Sequence, residues 1–356
     1  MARENILVLE PYFGGSHQSF LLGLQKYLPF SFHLLTLPAR KWKWRMRFSA
    51  PYFAGMLPST RNCDAVLCST FVDVAALRGM GPAWLREVPI FTYFHENQFA
   101  YPVQVEHERD LHFAVTNFTS ACCSDHVAFN SLYNMESFFK GCIEIEKKIP
   151  DMKLGLTEEL RKKSVVLHPG VDFSQLDEMP TATGVDGRPP VIIWNHRWEY
   201  DKNPDLFFRT LFQLDDLQLD YKLVILGQSF DQYPEIFDKT RERLGHRLLH
   251  VGYVADRQKY YQWLHRGTLV VSTSNHEFYG MAVIEAVRAG CRPLLPNRLS
   301  YPELFPRDFL YHDEDLLYRL KEGLQEKRLD TLSAQKLTEQ FCWSALAGRY
   351  TDWLNS

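Results

Sequence analysis

The chain has 356 residues, 46% of them hydrophobic and 23% charged, with a formal net charge of −3. That length exceeds one ordinary hydrophobic core and predicts two domains of roughly 150–180 residues, and the composition excludes a chain dominated by disorder. A global field that is not basic excludes general nucleic-acid attraction, so any such contact needs a local patch. No apolar run reaches bilayer length, and the strand-like Ile6-Leu7-Val8-Leu9 begins too early to follow a secretory leader; a cytoplasmic protein without membrane attachment is expected. Seven cysteines, an odd number with no C-x-x-C pair, read as reduced thiols.

In chain order, the strand Ile6–Leu9 runs into a Gly14-Gly15-Ser16 turn, with Ser16 as the expected N-cap of a helix carrying Phe20, Leu21, Leu24 and Leu28 at helical spacing. Strands are predicted at Phe32–Leu37, Ala65–Cys68, Ile90–Phe94 and Asp125–Asn130, with a helix over Leu132–Phe139. The segments between them are long enough for helical crossovers, which predicts a doubly wound α/β domain. A polar Pro/Gly stretch marks a linker over 179–190, separating a first domain of residues 1–178 from a second over 191–340. The second domain repeats the pattern through Val191–Trp194, Leu223–Gly227, Leu248–Gly252 and Leu269–Ser272, for which a parallel sheet with right-handed crossovers is the economical topology. The tail from about Leu332 to Leu354 reads as helical.

The densest chemistry lies in Ser274-Asn275-His276-Glu277-Phe278-Tyr279-Gly280-Met281-Ala282-Val283-Ile284-Glu285-Ala286. It follows a buried-strand run, places two carboxylates eight residues apart around a helix start, and includes Gly280, where backbone can approach a ligand closely. The amides and dipole of a helix start seat anionic phosphate, and flanking carboxylates accept from sugar hydroxyls. On spacing alone, the Glu277/Glu285 pair is equally a solvated helix face. Arg197 and Lys202 sit in a loop that follows a strand and ends in the Asn203-Pro204 helix signal, where two cations would stabilise a departing phosphate; Glu199 and Asp201 offer a plain salt-bridge alternative.

In the first domain, Gly14-Gly15 is most simply a tight turn. His95, with Glu96, Asn97 and Gln98, forms a polar cluster where a strand gives way to a loop, suited to orienting a sugar or acceptor hydroxyl. Arg40, Lys41, Lys43, Arg45 and Arg47 interleave with Trp42 and Trp44. That pattern engages RNA phosphates and unstacked bases, or else solvates the cations over two packed indoles.

The Ser274–Ala286 phrase resembles the donor-site motif of retaining glycosyltransferases of family 4. Val165-Val166-Leu167-His168-Pro169-Gly170-Val171-Asp172 looks like the strand-and-turn that closes their N-terminal domain, and Asn195-His196-Arg197-Trp198-Glu199-Tyr200-Asp201-Lys202-Asn203-Pro204 like their diphosphate loop. A narrower resemblance, to the tRNA-queuosine α-mannosyltransferase group, rests on Glu10-Pro11-Tyr12-Phe13-Gly14-Gly15-Ser16-His17, Leu37-Pro38-Ala39-Arg40-Lys41-Trp42-Lys43-Trp44-Arg45, Tyr93-Phe94-His95-Glu96-Asn97-Gln98 and Thr116-Asn117-Phe118-Thr119-Ser120-Ala121-Cys122-Cys123. Together these phrases span nearly the whole chain.

The resemblance implies a GT-B architecture: two Rossmann-like domains facing an interdomain cleft, with residues 341–356 crossing back to the N-terminal, tRNA-binding domain. It implies transfer of mannose from GDP-mannose to the cyclopentenediol of queuosine in tRNA for aspartate, with retention and without a metal. Arg197, Lys202, Glu277 and His95 are then the catalytic candidates. Donor contacts fall to Gly14, Gly15, Gly252, Tyr253, the backbone of Phe278, Tyr279, Gly280 and Met281, and Glu285 at the ribose. The basic segment with Trp42 and Trp44, together with Glu96, Asn97 and Gln98, is assigned to the acceptor. A family-4 enzyme using another sugar nucleotide or a lipid or small-molecule acceptor, and an inactive RNA-binding module, are the alternatives.

Overall fold

The structure, a computed structural model, describes residues 4–102, 110–152, 155–179, 189–229 and 233–356. The chain divides into two compact units: residues 1–171 with 343–356, and residues 172–342. Most of the linker expected over 179–190 lies outside the described residues.

Unit 1 carries a six-stranded sheet in the order β2-β1-β3-β4-β5-β6, formed by Asn5–Phe13 (β1), Ser31–Pro38 (β2), Ala65–Ser69 (β3), Ile90–Phe94 (β4), His126–Phe129 (β5) and Ser164–Val166 (β6). Every pairing is parallel. Both faces of the central strands are therefore covered, so β3 and β4 are unbroken runs of buried residues rather than alternating ones. The helix Gly15–Tyr27 is capped by Gly14 and not by the expected Ser16, which falls inside its first turn.

The closing helix Trp343–Asn355 completes this unit's core, packing Trp343, Leu346, Tyr350 and Trp353 with Phe20, Leu24, Phe91 and Tyr93. Gly23 is required by the Trp343 indole, since a Cβ there would lie 2.2 Å from the ring. The helical tail comes in two pieces: Thr331–Thr338 ends in a short 3-10 turn over Glu339–Phe341, and Trp343 starts a new helix that belongs to unit 1.

Unit 2 repeats the plan with order β12-β11-β10-β7-β8-β9, formed by Val191–Asn195 (β7), Lys222–Leu226 (β8), Leu248–Gly252 (β9), Leu269–Val271 (β10), Arg292–Pro296 (β11) and Leu310–Tyr311 (β12), again all parallel. β11 and β12 lie outside the strands that the apolar pattern predicts. In each sheet the strand order reverses once, between β1 and β3 in unit 1 and between β7 and β10 in unit 2, which opens a crevice at the carboxyl ends of those strands. No described helix is long and apolar enough to cross a membrane.

Replacing Trp343 by Ala is expected to cost about 3–5 kcal/mol in urea denaturation followed by fluorescence. Leu332→Ala, at a site 77% exposed, should stay within about 0.5 kcal/mol.

Candidate functional site

Two loops leave the carboxyl ends of β7 and β10 at the switch point of unit 2, and a buried lysine joins them. Lys202, only 5% exposed, donates to the His276 carbonyl at 2.6 Å and lies 3.3 Å from carboxylate oxygens of both Asp201 and Glu277. The loops are also laced through backbone: Asn275 and His276 amides donate to the Asp201 carbonyl, and Thr273 Oγ1 donates to the carbonyls of Lys202 and Asn203. Arg298 braces the second loop, donating to the Ser274 and Thr273 carbonyls while its Nη1 donates to both carboxylate oxygens of Asp313. Asn203 ends the first loop in left-handed backbone (φ 49°) and caps the helix Pro204–Asp216 through its side chain, so its chain direction is set by local residues.

Electrostatics follow from this packing. Burial would raise Asp201, but its hydrogen bond with His276 and the charge of Lys202 hold it at about 2. Burial would likewise raise Glu277, and Lys202 with the neighbouring imidazoles brings it below the ordinary carboxylate range. His196 is driven down to about 4 by burial and then by Lys202, so it is neutral; its buried Nε2 has no hydrogen-bond partner among the described residues. Arg197 is half exposed at the loop's outer side, 3.1 Å from Glu199. Gly227, at the end of β8 with φ +123°, lets this loop sit directly on the backbone: a Cβ there would lie 1.8 Å from the His196 carbonyl oxygen.

Glu277 precedes Gly280, whose φ of +89° starts the helix Met281–Arg288. Phe278 and Tyr279 are buried, and Ser300 Oγ donates to the Tyr279 carbonyl, so this turn presents main chain more than side chains. Val283 and Ile284 amides close on the Gly280 carbonyl, leaving Met281 and Ala282 as the amides for which an α-helix supplies no partner. Glu285, 4% exposed, is held from both sides: Arg257 reaches Oε1, and Tyr260 donates to Oε2 at 2.9 Å while accepting from Asn195 at 2.7 Å. Burial pushes Glu285 upward, opposed by Arg257 and Tyr260. Gly252 (φ +127°) and the exposed Tyr253 close β9, beyond β8.

Unit 1 has a second buried cluster at the β1/β3 switch. Glu10 accepts from the Tyr12 amide and Ser69 Oγ and pairs with His17 Nδ1 at 2.9 Å; His17 Nε2 lies 3.6 Å from Glu96, and its ring is 4.0 Å from that of His95. Burial would lower His17, but Glu10 and then Glu96 raise it to about 10, so it is an imidazolium. Burial and that charge drive His95 well below its ordinary value, leaving it neutral. The donor atoms of Glu10, His17 and His95 lie within 4.8 Å of one another, a separation that also suits a cation. In the structure His17 Nδ1 is paired directly with Glu10. Gly14 and Gly15 follow β1, and a Cβ on Gly14 would strike Ala39 at 2.6 Å.

Some of the expected residues are engaged within the protein itself. Asn97 is fully buried, with Nδ2 donating to Asn134 and Ser137 and Oδ1 accepting from the Ala100 amide, so its side chain fixes its own loop. Gln98 is buried, and its backbone N–H donates to Asn117 Oδ1. Arg40 and Lys41 precede the helix Trp42–Met56, whose first turns carry Lys43, Trp44, Arg45 and Arg47. Trp42 is half-buried against Phe71, Tyr101 and Phe113, whereas Trp44 is 62% exposed. A cavity of about 320 Å³ opens at the other, amino-terminal ends of β10 and β11, where Arg292 and Arg319 are spent on Glu326 and backbone carbonyls.

A family model described as tRNA-queuosine alpha-mannosyltransferase N-terminal matches residues 5–171, and one described as glycosyl transferases group 1 matches residues 176–309. A tRNA-queuosine alpha-mannosyltransferase of Drosophila melanogaster is 37% identical over 326 residues, covering 89% of this chain and 85% of that protein. The chain belongs to the tRNA-queuosine alpha-mannosyltransferase family. It is therefore a glycosyltransferase. Sucrose-phosphate synthase from Thermosynechococcus elongatus matches with a TM-score of 0.72 over 98% of both chains at 14% identity. The catalytic domain of Starch Synthase IV from Arabidopsis thaliana bound to ADP and acarbose matches at 0.69 over 99% of both chains, also at 14% identity. These likenesses show the GT-B fold.

Asp201, His196, Arg257, Tyr260, Glu10 and His17 were missed as site residues. Buried charge at a strand end was the available signal for Glu10, and the nearby His17 its natural partner; Arg257, 28 residues from Glu285, had no local signal. Because the folded pKa of His17 lies above the ~6.5 of a free imidazole, its ion pair contributes fully below that pH and is lost as pH rises through about 10. Chemical denaturation from pH 6 to 9.5 should therefore show stability falling more steeply in the native protein than in His17→Gln; parallel curves would contradict the imidazolium assignment.

Proposed function

We propose that the protein transfers mannose from GDP-mannose to the cyclopentenediol of queuosine in tRNA for aspartate, with retention at the anomeric carbon and without a metal. The observation that carries this reading is the family match over both units, coupled to the Lys202–Glu277 junction at the β7/β10 switch point. Seven cysteines without disulfides among the described residues suit a reducing cytoplasm.

Unit 2 holds the donor. Arg197 and Lys202 stabilise charge on the departing diphosphate, aided by the Met281 and Ala282 amides and by the backbone of Phe278, Tyr279 and Gly280. Glu285, fixed by Arg257 and Tyr260, keeps lone pairs for ribose hydroxyls; Glu277 lies at the hexose; Gly252 and Tyr253 meet the base. No protein nucleophile is needed, because the leaving phosphate takes the acceptor proton on the face from which it departs. Glu277 and Glu285 bracket a helix start and not a scissile bond, so the two-carboxylate hydrolase scheme does not apply. From unit 1, neutral His95 orients a hydroxyl beside Glu96, and the Gly14-Gly15 amides contact donor or acceptor.

Nucleoside mass spectrometry of queuosine-containing tRNA, incubated with the protein and a panel of sugar nucleotides, should show one added hexose with GDP-mannose alone and unchanged product in chelator. No product, product from another sugar nucleotide, or a strict Mg²⁺ or Mn²⁺ requirement would contradict the reading. Arg197→Ala should lower turnover by roughly 10²–10³, whereas Glu285→Ala should mainly raise the donor KM.

A further inference from the structure

The helix Trp42–Met56 buries Met46, Ser49, Ala50 and Phe53 against unit 1, yet its outer side is not polar. Trp44, Phe48, Tyr52 and Met56 are 62%, 57%, 51% and 51% exposed. Four-residue spacing puts them on one face in a single row, with successive side chains ~6 Å apart along the axis. Trp44 and Phe48 are already roughly parallel, with centroids 5.7 Å apart and planes at 20°. The row is flanked by positive charge: Lys43 and Arg47 are exposed beside it, Arg40 and Lys41 sit in the preceding turn, and no Asp or Glu occurs between Ala39 and Cys63. Arg47 meets Asp110 at 3.1 Å, but both side chains are exposed and the pair is screened.

A chain of net charge −3 thus concentrates cations beside an exposed aromatic row, which fits a polyanion with flat apolar faces. We propose that this row is a stacking platform for an unstacked single-stranded RNA segment, with bases on Trp44, Phe48 and Tyr52 and phosphates on Lys43 and Arg47. The inference rests on the RNA-acceptor reading above and names the surface and the state of the RNA it takes. The ~6 Å step between rings is nearly twice the ~3.4 Å rise per nucleotide of a stacked strand, so the row matches splayed bases and not a duplex, whose base faces are hidden. A membrane surface would demand a broad apolar face, and here the broad face is buried, leaving one row. Trp42 takes no part, being packed against Phe113 and Phe71.

The test measures anisotropy of a labelled twelve-nucleotide single-stranded RNA, and of the same strand in a duplex, titrated with the full-length protein at three salt concentrations. W44A/F48A should weaken single-strand binding about tenfold or more, leave its salt slope unchanged, and leave duplex binding unaltered. K43Q/R47Q should weaken both and flatten the slope. Thermal melts should be unchanged because every substituted side chain is exposed; should W44A/F48A fail to fold, Y52A carries the same expectation. Unchanged single-strand affinity in folded W44A/F48A, or equal losses for single strand and duplex, would overturn the proposal. So would wild-type binding to phosphatidylserine vesicles but not RNA, or a wild-type dimer in sedimentation that W44A/F48A dissolves. If W44A/F48A fails these tests yet modifies queuosine tRNA with wild-type kinetics, the platform is wrong and the enzymatic reading stands. If the wild type modifies no such tRNA, the enzymatic reading fails whatever the platform does.

Discussion

A single buried ammonium sets the local geometry of unit 2. An unpaired charge at the depth of Lys202 would be costly, and pairing it requires Asp201 from its own loop, Glu277 from the next, and the His276 carbonyl. Satisfying Lys202 therefore fixes the distance between the loop after β7 and the loop after β10. Glu285, further along, is held separately by Arg257 and Tyr260. The Arg298 brace and the Gly227 contact hold the same loops from outside, so the arrangement is over-determined before any ligand arrives.

Unit 1 applies the same logic to an imidazolium. His17 is stabilised by Glu10 and by Glu96, and His95 is held neutral first by its burial and then by that neighbouring charge, 4.0 Å away ring to ring. A neutral His95 has one ring nitrogen that donates and one that accepts, which is what orienting a hydroxyl needs. Both clusters lie at strand-order reversals, where two adjacent loops turn away from each other and leave room for side chains to converge.

Much of this was legible in the sequence, for definite reasons. Val191–Trp194, Leu223–Leu226 and Leu269–Val271 read as strands because a sheet buried on both faces is written as continuous apolar runs. The strand Arg292–Pro296 escaped because prolines at 293 and 296 punctuate it, and Leu310–Tyr311 because two residues carry no pattern. Lys202 and Glu277 were visible through their loops, but Arg257 reaches Glu285 only through folding. Trp42 and Trp44 looked equivalent two residues apart; on a helix that spacing turns them ~200° apart, one into the core and one outward. The tail reads as helical from its apolar spacing, which does not mark the 3-10 turn over Glu339–Phe341.

The central claim is that Lys202 serves a donor diphosphate as well as the loops it joins. Calorimetric titration of guanosine, GMP and GDP into the native protein and a folded Lys202→Met variant tests it without requiring transfer. Affinity should rise from nucleoside to diphosphate in the native protein, and that gain should largely vanish in Lys202→Met while guanosine binding is retained. An undiminished preference for GDP in the variant would mean that the ammonium is structural only, and the phosphate site lies elsewhere.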